Sequence, residues 1–337
     1  MCGRPVALAQ QVRSPSRFSR AAVMQHSVAG HAMDLLANEI RTSLPPITLR
    51  VTNVIGYIIL IAVNIAASTG LLGPTNAEIS ARHPTPLTPA GWAFSIWGII
   101  FALQGLGTVY QAMPQGYTPD GWKQRIVNSV GYGWQIGWFF EVAWQIAFTI
   151  DAPASPWICM FLLIGAFLGF AITLLSLFRL KDTCGSLSSV LLYFAFFLPT
   201  TLNTAWLSVA AGVGVLIVPE SYNWDERHVE AFAVVLICLV TALGAVVMQM
   251  ERDTAYGLTL VWALVAVYGA QGSRAVRITA LVCIAVNTLL SMFSLLRRKH
   301  PGGGGRGGPG QSTSDAGEPL RQQSASFKRK TDSDQGV

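Results

Sequence analysis

The chain reads as an all-α membrane protein with about eight transmembrane helices, and three observations carry that expectation. Only 12% of its 337 residues are charged and 52% are hydrophobic, whereas a soluble domain carries about a quarter charged residues. The charges crowd into the two ends and the short connections, leaving apolar stretches of roughly 17 to 30 residues, the length a helix needs to cross the hydrocarbon. The basic residues are also asymmetric. When the stretches are counted as alternating crossings, 19 of the Lys and Arg residues fall on the side of both termini and 4 on the other. That asymmetry places both termini on the cytoplasmic side or its organelle equivalent.

Taken in order, residues 1–50 form a basic arm. It holds Arg4, Arg13, Arg17 and Arg20 with several serines and no acidic residue before Asp34, a composition that fits an organelle transit peptide and equally a plain basic tail. Met33, Leu36 and Ile40 recur at helical spacing within 32–43 and predict a short amphipathic helix on the membrane surface. The spans follow at 51–69, 91–111, 126–150, 157–178, 188–216, 231–250, 255–271 and 276–296. Backbone groups in hydrocarbon must bond within their own segment, so each is expected to be helical. From residue 298 the basic, glycine-rich and polar tail has too little apolar surface to fold.

The five cysteines show no C-x-x-C spacing and the five histidines no metal-ligand spacing, so neither a disulfide framework nor a metal site is expected. No Ser/His/Asp grouping, carboxylate pair or phosphate loop can be assembled within the spans, which argues against an enzyme. PGGGGRGGPG has no strand before it and no helix after it. Nucleic acid is not an expected partner; membrane lipid is.

Inside a membrane helix a polar residue needs a partner, so the distribution of polar and aromatic residues is informative. At 100° per residue the third span gathers Trp134, Trp138, Glu141, Trp144, Gln145 and Phe148 on one face. The second presents Trp97, Phe101, Gln104 and Thr108, with Trp92 and Phe94 near its start. The first offers Asn53, Gly56, Tyr57, Leu60 and Asn64, and the fifth Asn203, Trp206 and Ala210 after a kinking Pro199. Together these faces predict an aromatic pocket with a few polar groups, suited to a small hydrophobic ligand. Simple helix packing is the competing reading of the deep tryptophans, and interhelical hydrogen bonding that of the asparagines. Trp122, Trp157 and Trp224 fall at span ends, where interfacial belts form. Glu141 is the one ionisable side chain well inside a span, costly there and expected to be neutral and hydrogen-bonded to Gln104, Asn203 or a ligand.

The segment LTPAGWAFSIWGIIFALQGLGTVYQ, with Pro89, Gly91, Trp92, Phe94 and Trp97, resembles the signature helix of the TspO/MBR family of tryptophan-rich sensory proteins, also called translocator proteins. Pro89-Ala90 stands where the family core has two prolines, and the tryptophans are five apart, which resembles a longer, divergent branch. The third span resembles the family's Asn-x-x-Trp helix, with Trp144 at the tryptophan and Glu141 at the asparagine. The resemblance implies a five-helix core over 51–216, followed by three additional helices over 217–297. It implies no enzyme and no obligate cofactor, but a porphyrin or haem-like molecule as ligand, and it implies homodimerisation. The expected function is that of an integral membrane receptor or carrier for a planar hydrophobic ligand of the tetrapyrrole or sterol class. Trp92, Phe94, Trp97, Gln104, Trp138, Glu141, Trp144, Asn203 and Trp206 are the candidate ligand residues. A proton-coupled transporter or channel using Glu141 is the alternative. The membrane, whether plastid, mitochondrial or plasma, is left open.

Overall fold

The structure, a computed structural model, describes residues 47–118, 121–150, 152, 155–184 and 190–299. The amphipathic stretch at 32–43 and the glycine-rich tail from residue 300 lie outside the described residues. Those described are helices joined by short turns, with no strand among them.

The helices are α1 (Ile47–Ser68), α2 (Asn76–Arg82), α3 (Ile96–Ala112), α4 (Trp122–Val130), α5 (Gly133–Ile150), α6 (Ser155–Cys184), α7 (Val190–Ser221), α8 (Glu226–Glu251), α9 (Thr254–Ala270) and α10 (Arg274–Lys299). Six segments are long and apolar enough to cross a bilayer: α1, the 3₁₀ turn Gly91–Ser95 with α3, α6, α7, α8 and α10. Two of the eight expected spans fall outside that group. Helix α9 has only 17 residues, and α5 is diluted by Gln135, Glu141 and Gln145. The start of α9 is tied to α7 by Thr201 Oγ1 donating to Asp253 at 2.7 Å, and just past its end Gln271 Nε2 donates to the Thr88 carbonyl at 2.6 Å.

Two spans depart from the expected continuous helices. The third, expected as one helix over 126–150, is broken into α4 and α5 at Gly131, whose φ of 48° is a conformation that favours glycine. The fifth contains a π-helical turn, Tyr193–Phe197, directly before Pro199. A proline in mid-helix has no N–H for the carbonyl four residues back and crowds it, so the helix widens there. That carbonyl, on Ala195, meets Gly107 of α3, where an added Cβ would lie 2.2 Å from it.

Helix α5 packs on α1 and α6, α6 on α7, and α3 on α1 and the π turn. Buried apolar residues of α1 to α7, with Tyr256, Leu260, Ala263 and Ala266 of α9, form one core. A second cluster of Leu87, Leu216, Val229, Ala233, Ile237, Leu264, Val267, Val276 and Cys283 holds α8, α9 and α10 together against the end of α7. Outward-facing isoleucines, leucines and phenylalanines on every long helix, such as Ile58, Phe139, Ile172, Leu239 and Leu289, are exposed, the surface a lipid environment requires. A polar seam joins α1, α3 and α5 at one end. Asn53 donates to Gln111 Oε1 at 2.9 Å and accepts from Gln135 Nε2 at 2.7 Å. Beside it Arg50, Tyr117 and Lys123 donate to the last carbonyls of α3 and the turn after it, satisfying groups that a helix end leaves open.

Candidate functional site

The aromatic faces of α3, α5 and α7 meet in the half of the bundle covered by α2. Helix α2 is anchored by a capping box: the Thr75 side chain accepts from the Glu78 amide and Glu78 Oε2 accepts from the Thr75 amide at 2.7 Å. Its Asn76 exchanges two hydrogen bonds with Gln145 of α5, at 3.0 and 2.5 Å. Under this cap lies a cavity walled by Phe94, Trp97, Trp144, Phe148 and Trp206, with Ser80, His83, Thr88 and Pro89 from α2 and the loop after it, and Leu163, Val209, Ala210, Val213 and Ile217 from α6 and α7. Trp97 stacks on Phe101 with centroids 5.1 Å apart and meets Trp206 edge-on at 6.3 Å; Phe94 meets Trp206 edge-on at 5.8 Å, and Trp144 stacks on Phe148 at 5.1 Å. These are favoured geometries for ring pairs.

Polar groups lie beyond the rings, toward the opposite end. One turn below Trp144 and Trp206, Asn203 Nδ2 donates to Glu141 Oε1 at 2.9 Å. Farther along α5, Trp138 Nε1 donates to Gln104 Oε1 at 3.0 Å and Trp134 Nε1 to Thr200 Oγ1 at 2.9 Å. Glu141 is 3% exposed and Asn203 fully buried. Glu141 Oε2, Asn203 Oδ1, Gln104 Nε2 and the indole nitrogens of Trp144 and Trp206 are buried without a hydrogen-bond partner among the described residues.

The nine candidate ligand residues thus divide. Phe94, Trp97, Trp144 and Trp206 line the cavity; Glu141 with Asn203, and Gln104 with Trp138, form paired layers beneath it; Trp92 lies elsewhere. Trp92 is half exposed and meets Trp262 of α9 edge-on at 4.8 Å. It lies within the 3₁₀ turn Gly91–Ser95, whose angular step takes its side chain away from the later helical face that carries Trp97 and Gln104. Ser80, His83, Leu163, Val213 and Ile217 were not expected at the site. For the first two, Thr75-x-x-Glu78 was the readable signal of a helix folding over the bundle.

The family model described as TSPO-like protein matches residues 50–293. The chain belongs to the TSPO-like protein family. That match spans α1 through most of α10, so the three helices after α7 are part of the TSPO-like unit. It makes this TSPO-like protein an integral, multi-pass membrane protein. Neither the curated proteins nor the solved structures contain a match to it.

Proposed function

We propose that this TSPO-like protein is a membrane receptor or carrier that binds a planar hydrophobic ligand, of the tetrapyrrole or sterol class, against the rings of Trp97, Trp144 and Trp206. The observation that carries the reading is the pair of indole N–H groups, on Trp144 and Trp206, buried in the cavity wall without partners among the described residues. A buried donor left unsatisfied costs about 1 to 3 kcal/mol, so a ligand acceptor placed there recovers it. The free volume enclosed by the rings is about 40 Å³, room for a few waters. Two grooves of about 460 and 450 Å³ share its walls, one at Phe94 and Trp97 and the other at His83 and Phe148. Ligand pockets commonly run to about 300–1,000 Å³. A planar ligand is therefore seated by displacing the shared rings, which joins a groove to the cavity.

The test is titration of the protein in lipid nanodiscs with protoporphyrin, read by quenching of tryptophan fluorescence. Trp144→Phe and Trp206→Phe keep a ring and remove the N–H, and each should weaken binding about tenfold. Unsaturable quenching, or wild-type affinity in both variants, removes the reading. Glu141 favours the second reading, a proton-coupled transporter or channel, because its buried carboxyl makes no ion pair among the described residues and Oε2 has no partner. Proton flux into sealed liposomes that is abolished in Glu141→Gln would favour that alternative.

A further inference from the structure

The loop from Thr85 to Ser95 has two faces. Through Thr88, Pro89 and Phe94 it forms part of the cavity wall. Its other face is fastened to the C-terminal helices at successive points. Leu87 is buried in the cluster that holds α8, α9 and α10 together. Gln271 Nε2 donates to the Thr88 carbonyl at 2.6 Å, the Ala90 amide to the Ala266 carbonyl at 3.1 Å, and Trp262 Nε1 to the Ala93 carbonyl at 3.1 Å. Trp92 packs edge-on against Trp262. At its other end, α9 is bolted to α7 through Asp253 and Thr201.

Loop backbone groups at a lipid-facing surface are costly to leave unpaired. The Thr85, Leu87, Thr88 and Ala93 amides bond within the loop, but the Ala90 amide and the Thr88 carbonyl find their partners on α9 and the residue after it, and the Ala93 carbonyl takes a second donor from Trp262. We infer that Trp262 and Gln271 are positioning residues: the C-terminal helices brace the loop and so set how readily the cavity wall moves aside for a ligand. This rests on the binding reading above for its consequence, but the brace itself can be read without any ligand.

The experiment uses the full chain in lipid nanodiscs with Trp262→Phe and Gln271→Glu, which preserve most of the side-chain volume and remove the donor to the loop, the second when its carboxyl is ionised. Thr241→Val serves as the comparison, because Thr241 is buried between α8 and α10 beside Asn287 and takes no part in the loop contacts given above. Two readouts are taken: amide hydrogen exchange of residues 85–95, and the association and dissociation rates of protoporphyrin. Losing one hydrogen bond should raise exchange across the loop about fivefold in Trp262→Phe and Gln271→Glu, with both porphyrin rates rising by a similar factor. Thr241→Val should lower the melting temperature and leave both readouts near wild type. Exchange and rates unchanged in the two donor variants, or shifted equally in Thr241→Val, would overturn the proposal. Faster exchange in a protein that never binds porphyrin, even as wild type, would remove the binding reading and leave the brace standing.

Discussion

Replacing Glu141 by alanine tests whether its pairing with Asn203 holds α5 to α7. The wild-type bond is 2.9 Å long and both residues are buried. Interhelical hydrogen bonds in membrane proteins contribute about 0.6 kcal/mol on average and about 1.7 at most. Asn203 Oδ1 already lacks a partner, so Glu141→Ala strands the whole amide, and an unsatisfied buried donor adds about 1 to 3 kcal/mol. Whatever void is not refilled costs a further 24 cal/mol or so per Å³. The expected total is about 2 to 4 kcal/mol. Glu141→Gln keeps an acceptor oxygen at the same reach and should lose less than about 1 kcal/mol. Unfolding by sodium dodecyl sulfate titration in mixed micelles measures both. A double-mutant cycle with Asn203→Ala isolates the pair, and the double variant should be less destabilised than the sum of the singles by about 1 kcal/mol. Strictly additive losses, or a Glu141→Ala protein as stable as Glu141→Gln, would show that the contact contributes nothing.

Other consequences are equally specific. Gly107→Ala should destabilise by at least about 1 to 3 kcal/mol in the same titration, because its Cβ would run into the Ala195 carbonyl and Trp134. Gly98→Ala, in the same helix but with nothing within 4 Å of an added Cβ, should be neutral or gain up to about 1 kcal/mol. Lys123 donates to the Met113 and Gln115 carbonyls at 2.8 and 2.7 Å, and Lys123→Met should cost about 1 to 3 kcal/mol. Burial, and then Arg50, hold its ammonium below the ordinary value of 10.5. The folded state therefore releases that proton first, and wild-type stability should rise relative to Lys123→Met as pH climbs through that window. Hydrogen bonds from the Thr75 backbone and side chain hold the Glu78 carboxyl below its ordinary value of 4.5. The stabilisation is present above that value and lost as pH falls through the lowered one. Amide hydrogen-exchange protection of residues 76–82, corrected for the intrinsic pH dependence of exchange, should therefore fall in acid for wild type and stay flat in Glu78→Gln.

The helical membrane fold was legible because hydrophobic length and charge placement are properties of contiguous sequence. Periodicity likewise put Trp144 and Glu141 on one face of α5 and Asn203 and Trp206 on one face of α7. Which of those residues would meet across helices was legible only as alternatives: Gln104, Asn203 or a ligand was expected on Glu141, and the relative rotation of α3, α5 and α7 gives it Asn203 and pairs Gln104 with Trp138. Trp92 shows the limit of motif reading. Its place in the signature is plain, but a 3₁₀ turn changes the angular step between residues, and its partner Trp262 lies 170 residues later in a segment that periodicity does not link to it. The break in the third span is a similar case, since Gly131 in Ser-Val-Gly-Tyr-Gly reads as an ordinary small residue until its φ is known.

Helix α9 carries a consequence for the bilayer around it. At 17 residues and 1.5 Å per residue it is about 25 Å long, whereas unstrained hydrocarbon is about 30 Å thick. Leu258, Trp262 and Val265 leave part of it exposed, and its ends are pinned at Asp253 and Gln271, which resists sliding to match. A bilayer that α9 crosses would have to thin locally along that flank, at a cost of a fraction of a kcal/mol per Å. The 26-residue helices α8 and α10 that pack against it would fit such a membrane by tilting. Such hydrophobic mismatch sorts proteins toward thin, sterol-poor membranes and away from thick, sterol-rich ones.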